Sequence, residues 1–177
     1  MSDPQRGGDP LEVVKSLPQG SIMIFRHYQE KKRALLAKKV LLKCHQKKIL
    51  CLIGGDIQLA LKLNADGIHL PEDHLKKIGQ RPKVHKNMLI TAATHSFKMV
   101  RRAYTLKIDA AILSPVYKTK SHPETPAIGR LQFASICNRS KIPIIALGGI
   151  GSDETLNLMY AGAFGIAGIE LFANLKS

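Results

Sequence analysis

Residues 144–150 have the sequence Ile144-Ile145-Ala146-Leu147-Gly148-Gly149-Ile150, an apolar run that ends in two glycines. The run predicts a buried strand, and its glycines let backbone N–H groups approach a ligand closely because no Cβ intervenes. A second such strand, Gly165–Ile169, follows after one short helix. In (β/α)8 barrels the phosphate site lies after strands seven and eight, and the order of elements puts these glycines there. The stretch therefore predicts a phosphate-binding (β/α)8 TIM barrel.

Upstream of this stretch, short apolar segments alternate with amphipathic ones, as expected for a parallel sheet with right-handed crossovers. The pattern predicts seven strands, at Ser21–Arg26, Ile49–Ile53, Gly67–Leu70, Leu89–Thr94, Ala110–Pro115, Ile144–Gly149 and Gly165–Ile169. It predicts helices at Leu11–Lys15, Gln29–Gln46, Ile57–Leu63, Phe97–Leu106, Arg130–Arg139 and Glu154–Ala161, and at best one turn at His74–Ile78. We expect a barrel that lacks its first strand, either because the chain begins after it or because the barrel is open there.

Length and composition predict a single domain spanning residues 1–177. No apolar run approaches the roughly 20 residues of a membrane span, so no membrane partner is expected. The polar start, Met1–Gly8, has no apolar signal-peptide core and favours a cytoplasmic location. Three cysteines without metal-like spacing are expected to be reduced. An open strand edge favours a partner subunit, so a homo-oligomer is also expected.

The chain is strongly basic, with a formal net charge of +14. Most lysines alternate with apolar residues on predicted helices, which is typical of solvated outer helices. The sequence has no Trp, and its Tyr and Phe residues are scattered, so no aromatic platform for nucleic acid is indicated. Nucleic-acid binding is therefore disfavoured, whereas a basic surface favours anionic substrates.

Five motifs in order carry a resemblance to a known family. They are Ala65-Asp66-Gly67-Ile68-His69-Leu70, Thr94-His95-Ser96, Ser114-Pro115-Val116-Tyr117-Lys118-Thr119, Pro126-Ala127-Ile128-Gly129 and Ala146-Leu147-Gly148-Gly149-Ile150. As a set they resemble the thiamine phosphate synthase family, which also contains the thiazole tautomerases. The resemblance implies a transferase of thiamine biosynthesis that couples hydroxymethylpyrimidine diphosphate to a thiazole phosphate and releases pyrophosphate.

The resemblance also implies where these small phosphorylated substrates bind. The thiazole phosphate would lie on backbone donors around three glycines, Gly148, Gly149 and Gly168. The diphosphate would lie near two hydroxyl residues and two basic residues, Thr119, Ser121, Arg26 and His122. The basic pair would be catalytic by placing positive charge on the leaving group, for which the imidazole must be protonated.

Mg²⁺ is the cofactor that the resemblance implies. Asp56, Glu72 and Asp73 are its candidate ligands, since Mg²⁺ needs only one or two carboxylates besides substrate phosphates and water. Each candidate residue also has a structural interpretation.

Gly148-Gly149 fits a tight corner, Asp56 fits a helix N-cap and Glu72-Asp73 fits an acidic first turn. His69 is interpreted as structural, and at His95 capping or bracing competes evenly with substrate contact.

Departures from the family pattern keep other functions open. Ile24 and Tyr28 stand where the family has Gln and Lys, and Gly54-Gly55 stands where it has Asn-Asp. A thiazole tautomerase is one alternative, although its catalytic His position holds Pro115 here and only His122 lies near in sequence. A non-catalytic binder of thiamine precursors or phosphates is the other.

Overall fold

The computed structural model describes residues 1–4, 6, 8–119 and 124–169. Within these residues, parallel strands alternate with helices along the chain. The strands are β1 (Ile22–Phe25), β2 (Leu50–Gly54), β3 (Gly67–Leu70), β4 (Leu89–Thr94), β5 (Ala110–Leu113), β6 (Ile144–Leu147) and β7 (Gly165–Ala167). The helices are α1 (Pro10–Ser16), α2 (Arg33–Gln46), α3 (Ile57–Lys62), α4 (Glu72–Lys77), α5 (Phe97–Thr105), α6 (Arg130–Arg139) and α7 (Ser152–Tyr160).

All seven predicted strands are present, and most helices agree with their predicted bounds to within two residues, whereas two helical regions differ more clearly from the prediction. The helix predicted from Gln29 begins at Arg33, because the preceding residues form turns in which the Glu30 carboxylate accepts the N–H of Lys32. The region predicted to hold at most one turn is the six-residue helix α4. Arg102 of α5 donates hydrogen bonds to carbonyls at the C-terminal end of α4. This tertiary contact supports a helix that its short sequence does not predict.

The described residues group into two compact units, and the first contains Met1–His69, Lys83–Ile90 and Ile169. Its strands pair in parallel and in sequence order, β1 with β2 and β2 with β3. Helix α2 packs on β1 and β2, and α1 packs on α2. The buried core of this unit is aliphatic with one aromatic ring, and includes Val14, Met23, Phe25, Val40, Leu52 and Ile53.

The second unit contains Leu70–Pro82 and Thr91–Gly168. Strands β4, β5, β6 and β7 pair in parallel in this order. The register places Leu147 of β6 opposite Ala167 of β7, so the glycines that follow both strands come next to each other in the register. Helices α6 and α7 bury one face each in a shared core, formed by Leu113, Val116, Phe133, Ile136, Ala146 and Leu158 among others.

One turn geometry recurs where helices lead into strands. After α2, α3, α5 and α7, a residue with positive φ follows the helix, and the next residue donates its N–H to a carbonyl five residues back. The positive-φ residues are Lys48, Asn64, Lys107 and Gly162, and the donors that follow them are Ile49, Ala65, Ile108 and Ala163. These donors are buried, so each turn fixes an apolar side chain at the entrance to a strand.

The order of parallel strands and helices is that of the α/β TIM-like class. Seven strands occur among the described residues, one fewer than the eight of a complete barrel, as predicted. The single domain over residues 1–177 stays a prediction. None of the helices in the described ranges is both long and apolar enough to cross a membrane.

Candidate functional site

The glycines after β6 lie against the chain's own backbone. Gly148 and Gly149 have φ of +99° and +67°, and a Cβ on Gly149 would lie 2.4 Å from the carbonyl oxygen of Lys118. A Cβ on Gly148 would lie 2.9 Å from Pro115 and 3.4 Å from the methyl group of Thr119. The missing side chains therefore let the loop after β5 pack on the end of β6. The predicted tight corner is present here, and Gly149 is still exposed to solvent.

Two of the sequence motifs meet in this loop. The N–H groups of Val116 and Tyr117 donate to the carbonyls of Leu147 and Gly148, at 2.9 and 3.0 Å. The motif Pro126–Gly129 also contacts this loop, because the N–H of Ile128 donates to the carbonyl of Pro115 at 3.0 Å. Backbone bonds thus hold the loop after β5 on the glycine corner.

The second unit brings together most of the predicted phosphate site. Gly168 follows β7 and is buried, and the β6–β7 register places it beside Gly148. Thr119 lies over Gly148 from the loop after β5. The N–H of Gly151, the residue before α7, donates to the Glu154 carboxylate at 2.9 Å and is therefore not available to a phosphate. Phosphate binding at this edge stays a prediction. The predicted Ser121 and His122 lie outside the described residues.

His95 occupies the end of β4 in a fixed orientation. Its ring Nδ1–H donates to the carbonyl of Ser114 at 2.6 Å, because a carbonyl can only accept. Its backbone N–H donates to Oε2 of Glu72 at 2.7 Å. This bonding occupies Nδ1, whereas Nε2 of the exposed ring has no bond to any described residue. Sequence reasoning left its role undecided and did not identify Ser114, whose carbonyl gives no signal in the sequence.

The first unit holds Arg26 at the end of β1. Its guanidinium lies 3.4 Å from the Asp3 carboxylate, which also pairs with Arg6 at 2.7 Å. Its backbone N–H donates to the hydroxyl of Ser2 at 2.9 Å. His69 is buried in this unit, and desolvation together with the Arg26 charge lowers its pKa to about 3. The ring is therefore neutral, and its structural role stays a prediction.

Arg33, the first residue of α2, was not identified from the sequence. Its side chain is 15% exposed and donates to the carbonyls of His27 and Gly54 at 3.1 and 2.6 Å. It also pairs with Asp56 at 3.0 Å, and Phe25 and Tyr28 lie under its guanidinium. One side chain thus joins the segments that follow β1 and β2. The sequence does contain one signal for this role: Arg33 is an arginine in a helix otherwise rich in lysine. Only arginine has a planar fork of donors that can bond several acceptors at once.

The predicted metal ligands each have partners within the protein. Asp56 caps α3 through the N–H of Leu59 at 2.9 Å, as its structural interpretation predicted, and pairs with Arg33. Glu72 pairs with Lys76 at 2.8 Å in addition to its bond with His95. Asp73 is 79% exposed and lies 3.4 Å from the same lysine.

Across the described ranges, no three His, Cys, Asp or Glu side chains lie close enough together to hold a metal ion. The candidate carboxylates therefore do not form a prebuilt metal site, and Mg²⁺ binding stays a prediction.

The comparisons with known proteins assign the chain to a family. The sequence model for thiamine monophosphate synthase matches residues 2–172. This chain belongs to the thiamine monophosphate synthase family. A protein of Aquifex aeolicus (strain VF5), provisionally named thiamine-phosphate synthase 2, is 35% identical over 94% of this chain and 91% of its own length. The thiamine-phosphate synthase of Bacillus velezensis (strain FZB42) is 30% identical over 99% of this chain and 82% of its own length.

A solved structure supports the fold of this family member. The thiamine phosphate pyrophosphorylase of Pyrococcus furiosus superposes with a TM-score of 0.76 over 94% of this chain and 81% of that one. The two sequences are 22% identical, so this likeness concerns the fold alone. The predicted family and the predicted α/β TIM-like class are both confirmed.

Proposed function

We propose that this chain is a transferase that makes thiamine phosphate from hydroxymethylpyrimidine diphosphate and a thiazole phosphate, releasing pyrophosphate. The observation that carries the proposal is the family match over residues 2–172, joined by relatives that match over most of their own length. Such substrates are small and phosphorylated, and a chain of net charge +14 attracts them. The proposal includes a cytoplasmic location and no membrane or nucleic-acid partner.

The proposed reaction gives different roles to the residues that hold the thiazole phosphate and to those that contact the diphosphate. The C–O bond to the diphosphate breaks and the leaving group keeps the electron pair, after which the thiazole nitrogen forms the new C–N bond to the pyrimidine methylene carbon. Backbone donors at Gly148, Gly149 and Gly168 would hold the thiazole phosphate. Arg26, held by Asp3, would place positive charge near the leaving diphosphate. Thr119 would donate a hydroxyl hydrogen bond, and Ser121 and His122 complete the proposal from outside the described residues.

Mg²⁺ would supply further charge neutralisation for the diphosphate when bound. Because one or two carboxylates with substrate phosphates and water suffice for this ion, Asp56, Glu72 and Asp73 keep their place as candidates. The assay is therefore run with Mg²⁺ and, in parallel, with a chelator. Product that forms only with Mg²⁺ would support the cofactor, and equal rates in both arms would exclude it.

The first experiment incubates the purified protein with both substrates and follows thiamine phosphate. Arg26→Ala is expected to lower kcat/KM by about 10- to 100-fold, since it removes a charged hydrogen-bond donor. Arg81→Ala is the matched control, because Arg81 also pairs with a carboxylate, that of Asp109, outside the proposed site. Absence of product from a folded protein that still binds thiazole phosphate would refute the synthase and leave a tautomerase or a binder.

His95 favours thiazole tautomerase as the second candidate function. A tautomerase needs a general acid–base residue, and Nε2 of His95 is presented as an acceptor at a strand end. The test incubates the protein with the thiazole precursor alone and follows its aromatisation. Conversion that His95→Asn abolishes would support the tautomerase, and conversion unaffected by this change would reject His95 as its base.

A further inference from the structure

Helix α7 presents an apolar surface to solvent. Leu158 is fully buried and marks the face toward the core. Leu156 and Tyr160 lie two residues to either side, which at about 100° per residue turns both of them away from the core. They are 66% and 88% exposed, and Met159 and Phe164 are 44% and 73% exposed. These four residues, three on α7 and Phe164 in the segment that follows it, are termed the α7 surface.

The size of the α7 surface suits the centre of a protein interface. A Phe or Tyr side chain covers about 150–250 Å², so Tyr160 and Phe164 present about 240–400 Å² at these exposures. Leu156 and Met159 bring the total to the upper part of the roughly 300–600 Å² found for the largest patch on a typical monomer. A standard interface buries about 800 Å² per partner, so polar residues around this apolar centre would contribute the remaining area of a dimer interface.

Charge selects the partner. The chain carries a net charge of +14, so two copies repel each other across most surfaces. Every other helix in the described part of the chain contains Lys or Arg, whereas α7 contains neither and carries Asp153 and Glu154 in its first turn. An acidic partner would prefer the lysine-rich α2, while a second copy meets the least repulsion at α7.

We propose that a second copy of this chain covers the α7 surface in a two-fold dimer. In such an interface each copy contributes the same patch, so the exposed Leu156 and Tyr160 pack against their counterparts. The sequence predicts a homo-oligomer that forms through an open strand edge, whereas the proposed dimer forms through the α7 surface. The inference does not rest on the proposed catalytic activity.

Sedimentation of the full chain over a range of concentrations tests this dimer. Tyr160→Glu and Leu156→Glu each place a charge in the interface and are expected to raise the dimer dissociation constant at least tenfold. Leu42→Glu is the matched control, because Leu42 is a leucine on α2 that is 54% exposed. All three positions are exposed, so circular dichroism and the Tm are expected to stay close to those of the parent chain.

Dimers that both α7 variants dissociate, and that Leu42→Glu leaves intact, support the proposal. A parent chain that remains monomeric at about 100 μM would overturn the proposal. This outcome includes the case in which a different protein covers the α7 surface. Dimers that persist in both α7 variants would also overturn it and would direct attention to the strand edge.

Discussion

Adding a single methyl group at Gly149 is expected to destabilise the protein strongly. Its φ of +67° costs an L-residue about 1–2 kcal/mol. The new Cβ would also lie 2.4 Å from the Lys118 carbonyl oxygen and 2.9 Å from backbone and side-chain atoms of Tyr117. Backbone atoms cannot move aside as a flexible side chain can, so overpacking adds about 1–3 kcal/mol. Gly149→Ala is therefore expected to lose about 2–5 kcal/mol, or on the order of 10 °C in Tm.

Two other glycines of the same unit allow the backbone cost to be measured separately from the overpacking cost. Gly129 has φ of +77° and ψ of 154°, but a Cβ would meet nothing within 4 Å, so Gly129→Ala reports the backbone cost of about 1–3 kcal/mol. Gly165 has neither feature, and Gly165→Ala is expected to be neutral or stabilising by up to about 1 kcal/mol.

Urea unfolding of the three variants measures the series, and calorimetric titration with thiazole phosphate measures binding. Gly149→Ala is expected to weaken binding because the loop after β5 must move. A Gly149→Ala protein as stable as Gly165→Ala would refute the reasoning.

Three further changes test the first unit. Arg33→Ala is expected to lower the free energy of unfolding in urea by about 2–4 kcal/mol because it removes the guanidinium donor from Oδ2 of Asp56 and from two carbonyls; Arg33→Lys is expected to recover part of this, and unchanged stability in both would contradict the role. Asp3→Asn removes the carboxylate that holds Arg26 and is expected to lower kcat/KM for the diphosphate about tenfold, whereas an unchanged value would separate Asp3 from the site. The folded pKa of His69 is lowered to about 3 from about 6.5, so the unfolded state binds more protons between these values and stability falls as pH falls through this window. Between pH 7 and pH 5 this loss is about 2 kcal/mol, and His69→Gln is expected to lack it, which urea unfolding at both pH values would show.

Hydrophobic patterning was sufficient to predict the strands. Leu50–Gly54 is a parallel strand that is buried from Cys51 onward, and in Ile144–Leu147 buried residues alternate with half-buried ones, so both faces favour apolar residues. Helix α4 was not predicted as a helix because its support comes from Arg102, which follows 25 residues after the helix ends. Local sequence carries no trace of such a partner.

Residue types were less informative about the site. Glycines after β6 were correctly placed at a strand end, but the sequence does not show that the loop from Pro115 to Lys118 lies against them. The carboxylates of Asp56 and Glu72 were considered as metal ligands, and the structure gives each a backbone N–H and a basic side chain. Two of these four partners, Arg33 for Asp56 and His95 for Glu72, are 23 residues away in sequence, and their identity depends on which strand ends become neighbours.

The recurring helix-to-strand turn leaves room to strengthen the chain without touching its chemistry. Three of the four left-handed positions hold residues with a side chain, Lys48, Asn64 and Lys107, and only Gly162 is free of the steric penalty. Glycine at Lys48 and Lys107 would relieve about 1 kcal/mol each, and less at Asn64, whose side chain tolerates this conformation. A scaffold improved in this way would tolerate damaging substitutions at the glycine corner, so that a loss of activity could be measured in a protein that remains folded.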